Sequence, residues 1–255
     1  MRIVRAIQYL TPLREGGSVP AIVGADDDGM YVLKFHGAAQ GPRALVAEVV
    51  CGELARHLGL PIAQTVLIEL DPVLAKSEPD PEIQAVLAAS GGTNFGIDYL
   101  PGALNWDPAL TPSLDRELAA RIVWFDAFVE NVDRTVRNPN LLTWHQQLYL
   151  IDHGAALYWQ HNWADHLSRA NAKFAMVRQH VLLPLAGDVR AADRALAPLV
   201  TPTVIEEIVD AIPQVWIDRV SERDPIERRG YLEHLCARIA GPRDFVEEAA
   251  RAQSV

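Results

Sequence analysis

Apolar residues fall in short strand-like runs over the first third of the chain and then switch to a helical period. Arg2 to Tyr9 and Ala21 to Gly24 carry such runs, separated by Arg14-Glu15-Gly16-Gly17-Ser18, a turn or loop. Asp26-Asp27-Asp28-Gly29 signals a tight turn, and Met30 to Phe35 follows as a strand. Tight turns join antiparallel neighbours, so these three pieces predict an antiparallel meander. Over residues 43–58, Ala47, Val50, Cys51, Leu54, Ala55 and Leu58 recur at three and four residues, which predicts a helix with a single apolar stripe, ended by Gly59 and Pro61. Val66 to Leu70 reads as another strand, residues 71–92 as an irregular or partly helical insertion, and Phe95 to Leu100 as a further strand before Pro101-Gly102.

The second part of the chain is patterned differently. Residues 114–131 predict a helix with Leu118, Ile122, Phe125 and Val129 on its buried side. A polar loop fills 131–140, and Leu141 to Trp144 with Leu148 to Ile151 forms a small hairpin. From 163 to 252 the pattern is mostly helical, broken at Pro184, Pro202, Pro213, Pro225 and Pro242. Stripes such as Val204, Ile205, Ile208 and Ile212 there predict ordinary amphipathic packing, and Trp159, Trp163 and Trp216 predict core. The pattern is that of an α+β protein. A β-rich N-terminal lobe with one main helix covers residues 1–105, and a mostly helical C-terminal lobe covers residues 106–255.

Composition narrows the function. The 255 residues carry 23 Lys plus Arg against 33 Asp plus Glu, a net charge of −10, which disfavours nucleic acid and anionic membranes as partners. Cys51 and Cys236 have no metal-type spacing and sit in apolar helical patterns, as buried thiols of a reducing compartment do. The first residues lack the long apolar run of a signal peptide, and no apolar stretch is long enough to span a bilayer. The expected location is cytoplasmic.

Candidate chemistry concentrates in Asn131-Val132-Asp133-Arg134-Thr135-Val136-Arg137-Asn138 and in Asp152-His153-Gly154 after the hairpin. A short loop plus hairpin brings Asp133, Asn138 and Asp152 to one mouth, with oxygen donors of the kind Mg²⁺ prefers. A carboxylate held off the metal can take a proton from a hydroxyl. Singly, Asp133 and Asn138 equally read as turn caps. In the first lobe, Lys34 points away from the face of Leu33 and Phe35, and Glu48 on the following helix can pair with it. Gly16-Gly17-Ser18 can present backbone N–H groups to phosphate oxygens. A glycine loop, strand lysine, helix glutamate, Asp-five-Asn loop and Asp-X-Gly, in that order, make up the part list of a protein-kinase-like phosphotransferase.

The chain resembles the HipA-like kinases, bacterial Ser/Thr kinases whose fold is similar to that of phosphoinositide kinases. YVLKFHGAAQGPRALVAEVVCGELARHLGLPI resembles their lysine strand and helix, FDAFVENVDRTVRNPNLL their catalytic loop, and LYLIDHGAAL their metal-binding segment. The resemblance covers roughly residues 10–160, and the chain looks like a compact member without the extra N-terminal subdomain of typical HipA toxins. It implies an ATP- and Mg²⁺-dependent transfer of a phosphoryl group to a Ser or Thr hydroxyl. Asp133 would be the catalytic aspartate, Asn138 and Asp152 the metal ligands, Lys34 the contact to the α and β phosphates, and Glu48 its partner. Gly16, Gly17 and Ser18 would cover the phosphates, with Ser18 a candidate for autophosphorylation. Phe95, Gly96, Ile97, Asp98, Tyr99 and Leu100 would form the hinge that receives adenine through backbone groups. The family's use of an antitoxin makes a protein of that kind a candidate partner, but no residue here reads a substrate. Three other readings stay open. They are a small-molecule kinase of the same fold, a non-catalytic nucleotide-binding module, and a metal-dependent hydrolase using Asp133, Asp152 and His145, His153 or His161, although no HExxH-like spacing exists.

Overall fold

The acidic turn closes on its own side chains. Asp27 Oδ1 accepts the Gly29 N–H at 3.1 Å, and Asp28 adopts φ +62°. It joins strand β2 (Ala21–Ala25) to β3 (Met30–Lys34) in an antiparallel pair, and β1 (Arg2–Pro12) pairs antiparallel with β2. The computed structural model describes residues 1–13, 19–108, 114–221 and 227–254. The meander is part of a larger closure. β4 (Thr65–Leu70) and β5 (Gly92–Asp98) pair with each other, β5 pairs with β3, and β4 runs parallel to β1, so the five strands form a closed barrel in the order β1-β2-β3-β5-β4.

Alternation decides the two faces of the barrel wall. Val4, Ala6, Tyr9, Ala21, Val23, Tyr31, Leu33, Phe35, Val66 and Ile68 fill the interior. Gly96 faces the same way, and a Cβ there would come to 2.3 Å from Ile68 Cδ1, so only glycine lets β4 and β5 close. Leu67, Phe95 and Ile97 point outward into a second, larger core shared with the helices.

Helix α1 (Gly41–His57) lies against that outer face. It starts with Gly41 at φ +65° and Pro42 in the first turn. The periodicity predicts one buried stripe, but every residue from Leu45 to Ala55 is buried, Glu48 and Glu53 included. The reason is a second cover: α5 (Pro202–Asp210) and α6 (Gln214–Ser221) pack on α1 as the barrel does. Trp216 of α6 donates its Nε1–H to the Thr93 carbonyl at 2.9 Å, and Arg219 contacts His36 just beyond β3. The insertion 71–92 holds a 3₁₀ turn (Pro72–Ser77) and α2 (Pro81–Ala89), begun by Asp71 and Asp80, whose carboxylates accept the N–H two residues on.

Past the barrel, β6 (Leu104–Asn105), β7 (Leu141–Trp144) and β8 (Gln147–Leu150) form a small sheet. Its hairpin turns through His145 and Gln146 at φ +48° and +63°, the left-handed pair that suits a two-residue connection. Helix α3 (Arg116–Phe128) begins at Asp115, which caps the Glu117 N–H at 2.9 Å, and is buried at every residue from Ile122 to Phe128. The last helices are α4 (Val189–Leu196), α7 (Arg228–Ala240) and α8 (Asp244–Ala252). Pro202 opens α5, and Pro213 and Pro242 separate neighbouring helices, whereas Pro225 lies outside the described residues.

Between 163 and 187 the chain departs from the expected helical pattern, as does the turn that leads into it. It consists of 3₁₀ turns at Tyr158–Asp165, Ala175–Gln179 and Leu183–Leu185 joined by irregular chain. A buried side chain from α7 helps satisfy this backbone. Arg238 donates to Ala170 and Ala172 carbonyls at 2.9 and 3.2 Å, to Ala127 and Phe128 carbonyls at the end of α3 at 2.8 and 2.7 Å, and faces Glu130 at 3.3 Å. Among the described residues no helix is long and apolar enough to cross a membrane. Replacing Arg238 with leucine strands these carbonyls and the Glu130 carboxylate, so urea titration is expected to show a loss of about 3–5 kcal/mol.

Candidate active site

Lys34 ends β3 on the outward face of the barrel, opposite Leu33 and Phe35. Its Nζ lies 2.5 Å from Glu48 Oε1 on α1 and 2.7 Å from Asp152 Oδ1 in the segment after β8. Lys34 is 12% exposed, Glu48 is buried, and the Asp152 side chain is 43% exposed. Glu48 Oε1 also accepts the His153 backbone N–H at 3.0 Å, so one carboxylate ties the lysine to the segment carrying Asp152. Asp152 itself sits at φ +55°, a strained conformation for a non-glycine residue.

The loop after α3 is organised from underneath. Asp126, fully buried in α3, accepts from Asn131 Nδ2 at 2.9 Å, Arg134 Nε at 2.5 Å and His180 Nε2 at 2.9 Å. Because His180 Nδ1 accepts the Leu182 N–H at 3.1 Å, its proton is on Nε2, as the bond to Asp126 requires. Arg134, also fully buried, reaches from this carboxylate to the Asn140 carbonyl, the Ile151 carbonyl at 3.3 Å and His153 Nε2 at 3.0 Å. Asn131 Oδ1 in turn accepts the Asp133 N–H at 3.1 Å.

Asp133 projects from this platform. Its Oδ2 accepts from Asn138 Nδ2 at 2.8 Å and Asn140 Nδ2 at 3.2 Å. Asp133 and Asn138 are therefore in direct contact. The segment that carries Asp152 is tied to the same loop by backbone, the Ile151 N–H donating to the Asn140 carbonyl at 3.1 Å. Asp126 and Asn140 are absent from the sequence-derived set. Asp126 carried one signal, a lone carboxylate inside the apolar run Trp124-Phe125-Asp126-Ala127-Phe128, while nothing local set Asn140 apart from Asn138.

The hinge reading needs a correction. β5 is paired on both sides, Phe95, Gly96 and Ile97 with β3 and with β4, so their backbone groups are consumed by the barrel and are not free for a base. The Asp98 N–H goes to the Gln64 carbonyl and the Tyr99 N–H to the Met30 carbonyl. The chain leaves the sheet at Tyr99 and Leu100. Gly16, Gly17 and Ser18 lie outside the described residues. His145 packs on Trp144 and His161 on Tyr158, and among the described residues no three His, Cys, Asp or Glu side chains gather as a metal cluster. Trp159 and Trp216 are core, and both cysteines are free thiols, Cys51 buried and Cys236 half-buried.

Comparison with known proteins places this arrangement. A family model described as HipA-like kinase matches residues 6–234. The chain belongs to the HipA-like kinases. No curated protein matches this HipA-like kinase in sequence. Its fold is similar to that of a Helicobacter pylori proinflammatory kinase, CtkA, at 12% identity and a TM-score of 0.53, over 98% of this chain and 97% of that one. It is also similar to the Golgi casein kinase solved with Mn/ADP bound, at 13% identity and a TM-score of 0.51, over 97% of this chain and 74% of that one. The α+β architecture is thus a kinase fold.

Charge in the site is set by burial and pairing. Burial opposes the Lys34 ammonium, but Glu48 and Asp152 outweigh it and hold its pKa above the ordinary lysine range. Burial raises Glu48, with Lys34 pulling the other way. Burial also pushes Asp152 up, yet Lys34 overrides it and brings the carboxyl down to about 2. Burial, with Arg134 beside it, holds His153 down to about 3, and burial takes His234 to about 3 as well. Both imidazoles stay neutral in the folded state while an unfolded histidine protonates near 6.5. Below that value the unfolded chain binds more protons, so stability is lost as pH falls from about 6.5 towards 3, by up to about 1.4 kcal/mol per pH unit for each histidine. Chemical denaturation across this range is expected to show that slope, and His153→Gln should make it shallower by close to one proton.

Proposed function

We propose that this HipA-like kinase transfers the γ-phosphoryl group of ATP to a Ser or Thr hydroxyl of a protein. The observation that carries the reading is the Lys34 ammonium held between Glu48 and Asp152, with Asp133 fixed in the same bonded framework. An ammonium has three donors, and two are used, so the third N–H of Lys34 is free for an α- or β-phosphate oxygen. Asp133 has Oδ2 engaged by two amides, which leaves Oδ1 to orient an acceptor hydroxyl and take its proton.

The donor set fits a divalent cation. Asp152 carries a half-exposed carboxylate, and Asn138 gives its Nδ2 to Asp133 and keeps its Oδ1 available. These are hard oxygen donors of the kind Mg²⁺ takes along with water and phosphate. Mg²⁺ bound there would neutralise the phosphate charge that builds up during transfer. The Mn and ADP of the Golgi casein kinase support the same nucleotide-and-cation chemistry here. Adenine recognition falls to the Leu100 N–H and the Tyr99 carbonyl, the first backbone groups past β5, and Gly16, Gly17 and Ser18 would close over the phosphates. In this reading the lobes 1–105 and 106–255 meet across the Lys34–Asp152 contact.

Asp133→Asn is expected to lower phosphoryl transfer from labelled ATP by about 10²–10⁴-fold. Calorimetric titration should find ATP affinity within about threefold of the parent. Undiminished turnover in that variant overturns the assignment of Asp133. Lys34→Met should act on nucleotide handling, weakening ATP binding at least tenfold.

A further inference from the structure

The surface beside Asp133 has a charge unlike the rest of the molecule. No Asp or Glu occurs from 134 to 151 or from 166 to 187, forty residues in which the average composition would put about five. Those two segments carry Arg134, Arg137, Arg169, Lys173 and Arg178. They are neighbours in space. Thr135 and His180 form an antiparallel bridge, and the Val181 N–H donates to the Arg134 carbonyl at 3.1 Å. The bridge ties the turn that carries Val136 and Arg137 to the chain just after Arg178 and Gln179.

Local geometry presents this edge outward. Thr135 and Asn138 exchange backbone hydrogen bonds at 3.0 and 3.2 Å, which leaves Val136 and Arg137 at the tip of a two-residue turn. Val136 is 77% exposed, the highest value among the large hydrophobic side chains described. Arg137, Lys173 and Gln179 are exposed too. Arg178 is 62% exposed and pairs with the buried Glu248. Inward, Arg134 is already matched by Asp126, so the surplus belongs to the surface.

We propose that this edge docks the acceptor as an acidic peptide segment, with acidic side chains meeting Arg137, Lys173 and Arg178 and an apolar residue covering Val136. The proposal rests on the phosphoryl-transfer reading and names its acceptor class. A protein of net charge −10 repels acidic chains in general, so a basic margin at the catalytic loop both attracts such a segment and sets its register.

The test uses the full chain and three serine peptides with one core sequence, flanked by glutamate, by alanine or by lysine. Binding is read by fluorescence anisotropy from low to high salt, and transfer is read with labelled ATP and Mg²⁺. The glutamate-flanked peptide is expected to bind at least tenfold more tightly than the lysine-flanked one, mainly through KM, with the difference shrinking as salt rises. R137E/K173E should reverse that preference, and R137Q/K173Q should weaken it while melting at the parent temperature. Equal binding of all three peptides, tighter binding of the lysine-flanked one, or stronger binding of a single-stranded RNA oligonucleotide overturns the proposal. Charge-dependent binding of the glutamate-flanked peptide with no transfer to any peptide upholds the docking surface and sinks the phosphoryl-transfer reading instead.

Discussion

The molecule turns on one ammonium group. Lys34 leaves the barrel wall from β3 and is met by a carboxylate from α1 and another from the segment after β8. Three elements far apart in sequence are thereby fixed relative to one another through a single point charge. Burying that charge is costly without partners. Two carboxylates, one buried and one half in solvent, supply them. Their arrangement leaves the lysine charged and Asp152 ionised, the states that phosphate and a cation require.

Beneath this contact lies a second, dry layer of charge. Asp126 and Arg134 are both fully buried, and between them they bond the loop after α3, the carbonyls of Asn140 and Ile151, His153 and His180. Such pairs are not strong sources of stability, since desolvation offsets much of the attraction. What this one supplies is geometry. Arg134 contacts carbonyls at Asn140 and Ile151, so the residues that flank Asp133 and Asp152 share a single planar anchor. Arg238 does the same for the end of α3 and the irregular chain at 170–172.

Legibility in the sequence tracked the range of the interactions. The acidic turn and the hairpin of Leu141 to Ile151 depend on neighbours within a few residues, and their patterns could be read directly. The Lys34–Glu48 pair and the Asp133–Asn138 contact were readable because order and spacing carry information even when each residue alone does not. The backbone of Phe95 to Ile97 was read as free, because pairing on both sides follows from barrel closure and leaves no local trace. Asp126, Asn140 and Arg238 escaped for a related reason. Their partners are mostly backbone groups or side chains from other segments. The chain from 163 to 187 was read as helical, but its carbonyls are satisfied in part from α7, and no periodicity encodes that.

Helix α1 is enclosed on both sides, by the barrel wall and by α5 and α6. Eleven consecutive residues, Leu45 to Ala55, are out of solvent. Swinging this helix outward would open two interfaces at once and strand Glu48 and Glu53 in the process. Withdrawing Glu48 from Lys34 by a rigid swing of α1 is therefore opposed by two packed surfaces and not by the ion pair alone.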